Sequence, residues 1–262
     1  MDNLKPLKII KIGGNVIDDA AALSSFLNLF SSIEGPKILV HGGGKSATAL
    51  AQQTGLEVQM VDGRRITDAA TLELITMVYA GKINKTIVAQ LQALDCNALG
   101  FTGADANTIT SIKRPVSSID YGFVGDVKNV ETSILEVLLN QGVSPVFCAI
   151  THDDNGQLLN TNADTIASEL AIAFATKFNV ELYYCFEKKG VLKNINDDDS
   201  VLQTITKSSY KKLLNAQLIF SGMLPKLNNC FHALDHKVSK VCIGKPEMLL
   251  DSKAIFTTLT IL

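Results

Sequence analysis

"ILVHGGGKSATAL", residues 38–50, joins an apolar strand to three glycines and then to a helix-forming run. A glycine cluster followed by Lys45 and Ser46 suggests the phosphate cradle G-x-x-x-x-G-K-[ST]. Counting back from Gly44, however, puts Leu39 where the first glycine must stand. A leucine that ends a strand cannot wrap bare backbone N–H groups around a phosphate, so that reading fails. The dinucleotide fingerprint G-x-G-x-x-[GA] does fit Gly42, Gly44 and Ala47, with Asp62 at about the distance of a ribose-binding acid. Two candidates follow: a dinucleotide-binding oxidoreductase, or a protein that brings some other anion to a helix N-terminus.

Outward from this stretch, strand-like and helix-like runs alternate. "LKIIKI" is a strand ending at Gly13-Gly14, "DDAAALSSFLNLFSSI" a helix, "KILVH" a strand, and "KSATALAQQTG" a helix stopped by Gly55. A long helical region, "DAATLELITMVYAGKINKTIVAQLQAL", carries Gly81 as a kink or break. "NALGF" is a strand, and "TSILEVLLNQG" is a helix opened by Thr132 or Ser133 and closed by Gly142. "SPVFCAI" reads as a near-continuous apolar strand, the pattern of a sheet covered on both faces. "NADTIASELAIAFATKF" is a helix, "VELYYCF" and "KVCIG" are buried strands, and "TTLTIL" closes the chain. Hairpins are expected at Asp62-Gly63 and around Asn155-Gly156. This order predicts an α/β three-layer sandwich: a mainly parallel open sheet with helices on both faces. A boundary is expected after the helix ending near Phe178, dividing residues 1–178 from 179–262.

Composition narrows the classes. With 262 residues, 47% of them apolar, the chain can bury a large core. A net charge of −2 with scattered lysines and arginines suggests no nucleic-acid or membrane surface. No apolar run has the length of a membrane span, and the first residues lack a signal-peptide pattern, so a cytoplasmic protein is expected. Five widely spaced cysteines without a C-x-x-C pair read as buried free thiols.

The chemistry lies where one arrangement recurs. Lys11-Ile12-Gly13-Gly14 and His41-Gly42-Gly43-Gly44 both end an apolar strand in glycines. In an open parallel sheet, ligands bind beyond the carboxyl ends of the strands, so two such ends offer backbone donors to one anion. In "NTNADTIASELA", Asn160, Asn162 and Asp164 precede or open a helix. A cap, Asn162 or Asp164, accounts for one of them but not for three spaced by two. In "SGMLPKLNNC", Pro225 suits an early helical position, and Lys226 falls in the first turn, where a cation is unfavourable for the helix dipole. Lys226 is therefore read as placed for an anion.

Together Lys11-x-Gly13-Gly14, "VHGGG", "DGRRIT", "GKINK", "NTNAD" and "GMLPK", in this order and spacing, resemble the acetylglutamate kinases of the amino acid kinase family over nearly the whole chain. The resemblance implies the amino acid kinase fold and transfer of the γ-phosphoryl group of ATP, with Mg²⁺, to the side-chain carboxylate of an N-acylated glutamate in arginine biosynthesis. It implies that Lys11 and Lys226 hold the phosphoryl group and that Asp164 orients both. Gly14, Gly43 and Gly44 would offer N–H groups, Arg65 would bind the α-carboxylate, and Asn160 and Asn162 would fix the acyl-amino part. ATP would lie at Gly13, Gly14, Phe186, Glu187, Gly190 and Met223, in a C-terminal lobe over 179–262, with acylglutamate binding and dimerisation in 1–178. Chemistry agrees: phosphoryl transfer needs positioning and charge stabilisation, and an ionised carboxylate acceptor needs no general base. Mg²⁺ is expected on the ATP phosphates and water, because the sequence offers no acidic cage.

"CFEKKGVL" departs from the family's short Asp-containing segment, putting Phe186, Glu187, Lys188 and Lys189 before Gly190. The resemblance also implies an arginine-insensitive homodimer, because arginine-inhibited relatives carry an additional N-terminal helix that joins dimers into a hexamer, and here only a short run with Pro6 precedes the first strand. Alternatives are an N-succinylglutamate kinase, a non-catalytic sensor relative, and the oxidoreductase, which leaves Lys11, Asp164 and Lys226 unexplained. His232 and His236 have the i, i+4 spacing of a zinc pair but no third ligand, and the Asp197–Asp199 run reads as a solvated loop.

Overall fold

The fold was analysed in a computed structural model that describes residues 4–61, 64–215, 223–251 and 253–261. In chain order the first half contains β1 (Pro6–Ile12), α1 (Gly14–Ile17), α2 (Ala20–Ser31), β2 (Lys37–His41), α3 (Gly44–Gln53), the short β3 (Met60–Val61) and β4 (Arg64–Arg65), α4 (Ala69–Thr76), α5 (Asn84–Ala93) and β5 (Ala98–Phe101). Then follow β6 (Ile109–Lys113), β7 (Gly125–Val130), α6 (Ser133–Asn140), β8 (Ser144–Phe147), β9 (Ile150–His152), β10 (Leu158–Asn160), α7 (Ala163–Phe174) and β11 (Asn179–Cys185). The chain continues through β12 (Thr204–Thr206), α8 (Lys207–Asn215), α9 (Leu224–Asp235), β13 (Lys240–Gly244) and β14 (Thr257–Thr260).

The main sheet runs β12-β14-β13-β11-β1-β2-β8-β5, and only the β13–β14 pair is antiparallel. Right-handed crossovers put helices on opposite faces when the strand order reverses. Moving from β1 to β2 places α2 on one face, where it packs with α5. Returning from β8 to β11 places α7 on the other, where it packs with α9. Strand β2 is buried along its whole length. Its polar ends are explained locally: the Lys37 ammonium donates to the carbonyls of Phe30, Ser31 and Ile33 at 2.7–2.9 Å, closing the C-terminal end of α2, where a cation is favoured. Loops leave β1 toward one edge and β11 toward the other, so the cleft beyond these adjacent strand ends is the switch point at which α/β sheets bind ligands.

Several expectations need revision in detail. "SPVFCAI" is not one strand. Residues 144–147 belong to the main sheet, and after Cys148-Ala149 the chain enters a second sheet, β10-β9-β6-β7. Both stretches are buried, so an apolar run cannot reveal the change of sheet. Strands β6, β7 and β12 and helix α8 carry weaker apolar patterns and were not read from the sequence. The expected helix over 68–94 is continuous with Asp68 as its side-chain cap, but Met77–Ile83, which includes Gly81, is a π-helical turn rather than a kink. The β9–β10 hairpin forms with Gly156 at φ +87°. Strands β3 and β4 pair antiparallel, while the turn expected at Asp62-Gly63 lies outside the described residues, as does the proposed ribose acid Asp62. All five cysteines are buried free thiols.

Candidate active site

Three elements distant in sequence converge beyond the ends of β1 and β11. Strand β1 contributes Lys11 from its penultimate position. Helix α7 contributes Asp164 from its first turn, and α9 contributes Lys226 from the turn that Pro225 opens. Lys11 Nζ forms an ion pair with Asp164 Oδ1 at 2.7 Å, and Lys226 Nζ donates to Oδ2 at 2.8 Å. The carboxylate is thus shared edge to edge between two ammonium groups. Burial alone would raise the Asp164 pKa, but the two lysines outweigh it and hold the group well below the usual carboxylate range. For Lys11 burial dominates and lowers the pKa. Asp164 opposes that shift and Lys226 reinforces it.

Asp164 is held by its own helix end. Asn162 Oδ1 accepts from the backbone N–H groups of Asp164 at 2.8 Å and Thr165 at 3.2 Å, which makes Asn162 the N-cap of α7. Tyr184, next to Lys11 across the β1–β11 pair, donates its hydroxyl to the Asp164 carbonyl at 3.1 Å. The same ring lies 5.0 Å from Lys226 Nζ, within cation–π range. Sequence reasoning missed Tyr184 because it sits in a run of buried apolar residues, and only the register places it beside Lys11.

The second glycine loop forms the facing wall. Gly43 has φ +156° and, as the N-cap of α3, offers no capping side chain, so among the described residues the first backbone donors of that helix have no side-chain partner. Arg65, 7% exposed, donates through Nη2 to the Gly44 carbonyl at 2.9 Å and to Thr48 Oγ1 at 2.8 Å. Its Nη1 is buried and unpaired among the described residues. A buried, half-satisfied guanidinium is a natural hydrogen-bond donor to a carboxylate. Asn160, at the end of β10, donates to Thr67 Oγ1 at 2.9 Å.

Lys11, Gly14, Gly43, Gly44, Arg65, Asn160, Asn162 and Asp164 line a cavity of about 510 Å³, which Lys226 joins through its bond to Asp164 rather than as part of the wall. Arg114 also reaches this wall, fixed by a fork to Asp126 at 2.5–3.1 Å, and sequence reasoning did not single it out. A second cavity of about 550 Å³ shares Gly14, Gly44 and Arg65 and adds Gly13, Phe186 and Glu187. Gly190 and Met223 line neither. Gly190 answers a packing need instead, since a Cβ there would lie 2.6 Å from Thr257 Oγ1. The unusual Lys188 and Lys189 are engaged by the acidic run, pairing with Asp198 at 2.6 Å and Asp199 at 2.5 Å. His232 faces Glu169 at 3.4 Å on the outer side of α9.

A lysine pair around one carboxylate, two glycine-rich strand ends and a parallel sheet define a site for holding a transferable anionic group. The chain belongs to the amino acid kinase family, which residues 6–245 match. Within that family it is similar to the acetylglutamate kinase of Cytophaga hutchinsonii, with 56% identity over 249 residues covering 95% of this chain and 94% of the relative. Solved structures share the fold: smu.665 from Streptococcus mutans has a TM-score of 0.80 at 24% identity, covering 97% of this chain and 98% of that one. Carbamate kinase from Giardia lamblia bound to AMP-PNP has a TM-score of 0.73 at 14% identity, with both chains fully covered.

Proposed function

We propose that this chain transfers the γ-phosphoryl group of ATP to the side-chain carboxylate of N-acetyl-L-glutamate, a cytoplasmic step of arginine biosynthesis. The observation that carries the reading is the Asp164 carboxylate shared by Lys11 and Lys226 between the two glycine loops. Identity above one half to a protein named for this reaction supports it. The acceptor is already an anion, so the work left to the protein is to bring two anions together and to neutralise the charge that builds on the phosphoryl oxygens. Lys11 and Lys226 take that charge from two sides. Asp164 keeps both ammonium groups aimed and remains ionised throughout. The N–H groups of Gly14, Gly43 and Gly44 steady the phosphoryl group and the attacking carboxylate, while Arg65 takes the α-carboxylate through its unpaired edge. Asn160 and Asn162 flank the acyl-amino part.

ATP fits the second cavity, with Gly13, Gly14, Phe186 and Glu187 near the phosphates and Gly190 and Met223 further out. Both Asp164 oxygens are engaged by lysines, so Mg²⁺ would be held by the nucleotide phosphates and water, where it would shield their charge. In this reading residues 1–178 bind the acceptor and form a homodimer, and 179–262 bind the nucleotide. The test is ATP-dependent acylphosphate formation, trapped with hydroxylamine, run with N-acetyl-, N-succinyl- and free glutamate. Turnover with N-acetylglutamate and none with free glutamate is expected. Preference for the succinyl form would reassign the acyl group, and silence with all three from ATP-binding protein would overturn the kinase reading. Light scattering is expected to give the mass of a dimer.

A further inference from the structure

The glycine loop before α3 is supported from behind by the one irregular turn of the helical rod that runs through α4 and α5. A π-turn closes i→i+5 hydrogen bonds at some cost in geometry and recurs at functional sites. It narrows the angle between residues five apart, which in an α-helix, at about 3.6 per turn, diverge by roughly 140°. Over Met77–Ile83 the turn leaves Tyr79 against Gly43 and Asn84 against His41, so both face the end of β2 and the loop that follows it.

Both reach it. A Cβ at Gly43 would lie 2.4 Å from Ile83 Cδ1 and 2.9 Å from Tyr79 Cδ1, so this glycine rests directly on the π-turn. Asn84, 1% exposed, places its amide nitrogen 2.9 Å from the Val146 carbonyl and 3.1 Å from His41 Nε2. The amide nitrogen has two hydrogens, and the Val146 carbonyl can only accept, which fixes the amide's orientation. The second hydrogen then points at His41 Nε2, which must accept it. The ring proton therefore sits on Nδ1, which donates to the Gly42 carbonyl at 2.8 Å. Room for Asn84 comes from β5, where a Cβ at Gly100 would lie 1.9 Å from Asn84 Oδ1. His41 is fully buried, and burial lowers its pKa to about 4, in keeping with a permanently neutral ring.

We propose that Asn84 and His41 are positioning residues for the acceptor side of the reaction. Asn84 selects the tautomer of the ring, the ring pins the Gly42 carbonyl, and the N–H groups of Gly43 and Gly44 are thereby aimed at the phosphoryl acceptor. The inference rests on the reading of those glycines as the acceptor's donors. A buried histidine that served packing alone would affect stability, and any fall in rate would follow the loss of folded protein.

Two substitutions at one position separate these roles. In His41→Asn the amide nitrogen takes the place of Nδ1 and keeps the bond to Gly42. In His41→Gln the amide lies at the place of Nε2 and keeps only the contact with Asn84. With the full chain, kcat, both KM values and the thermal midpoint are measured by acylphosphate trapping and melting. His41→Gln is expected to lose about 10- to 100-fold in kcat, the scale of a small misplacement of reacting groups. KM for ATP should hold, and His41→Asn should recover most of the rate at a similar thermal midpoint. Nitrogen NMR of labelled histidine is expected to show the Nδ1–H tautomer for His41 in the unmodified protein. Equal kcat for the two variants, or a proton on Nε2, overturns the inference while leaving the kinase reading intact. A wild-type chain that makes no acylphosphate from N-acetylglutamate overturns both.

Discussion

One carboxylate between two ammonium groups leaves the centre with a surplus positive charge, which on the proposed reading meets an incoming phosphoryl group. The lysines are kept from drifting by Asp164, so little reorganisation is needed at the moment of transfer. Lys11→Ala and Lys226→Ala are each expected to lower kcat by about two to four decades, the scale of lost oxyanion donors and arginine fingers. Steady-state rates at saturating ATP and acceptor check this. The pH profile follows from the same residues. Lys11 must be protonated to act, and its lowered pKa means that its proton leaves below the ordinary 10.5, so kcat should fall as pH rises through that lower value. Asp164, held low by its partners, contributes no acid limb near neutrality. A rate that stays flat beyond pH 10.5 would count against this role for Lys11. On the proposed reading, in which the unpaired Nη1 takes the α-carboxylate, Arg65→Ala should raise KM for the acylated amino acid far more than KM for ATP. Tyr184 supplies a neutral surface to Lys226, which adds no charge to compete with the phosphoryl group. Tyr184→Leu should cost roughly 3- to 30-fold in kcat, the range of a desolvated cation–π contact. Tyr184→Phe should cost less, since the ring survives, and the ratio of the two rates decides the point.

At the scale of elements, the site is built from strand ends and helix starts, and these were the most legible parts of the chain. Glycines after β1 and β2, the Asn162 cap and the Pro225-Lys226 start of α9 each carry a local signal that tertiary packing did not override. Legibility failed where the deciding fact was a register or a neighbour. Tyr184 gains its role only by pairing beside Lys11, and "SPVFCAI" changes sheet inside a uniformly apolar run. The π-turn has no local marker beyond Gly81, because its extra residue matters only to what it touches. The basic loop before Gly190 shows the converse. Its two lysines invite a reading as phosphate ligands, yet the acidic run ten residues on engages both. Exposed pairs of this kind contribute little. Replacing Lys188 and Lys189 with alanine should therefore change KM for ATP by less than about fivefold, the most that so weak an interaction allows. Phe186→Ala, on the cavity wall, should raise it more, and initial rates over a range of ATP concentrations test the contrast.

For the whole molecule, the central consequence is continuity. Strand β11 pairs with β1 along seven residues, so the segment that follows Phe178 is joined by backbone hydrogen bonds to the first strand of the chain. Residues 1–178, proposed to hold the acceptor, and 179–262, proposed to hold the nucleotide, thus share one sheet, and their relative position is set by ladder geometry rather than by a linker. The five cysteines are spread across this frame: one in the connection before β5, one between the two sheets, one each on β11 and β13, and one on α9. All are buried, and burial raises the thiol pKa of Cys148 to about 12 and of Cys242 to about 11. Because all five side chains are buried, alkylation must wait for the chain to open. Each thiol becomes a chemical clock for the element that hides it. Timed labelling read by peptide mass should find every site slow in the native protein. Saturating ATP should retard Cys185, Cys230 and Cys242 more than Cys96, turning native side chains into a map of which parts of the frame a bound nucleotide holds shut.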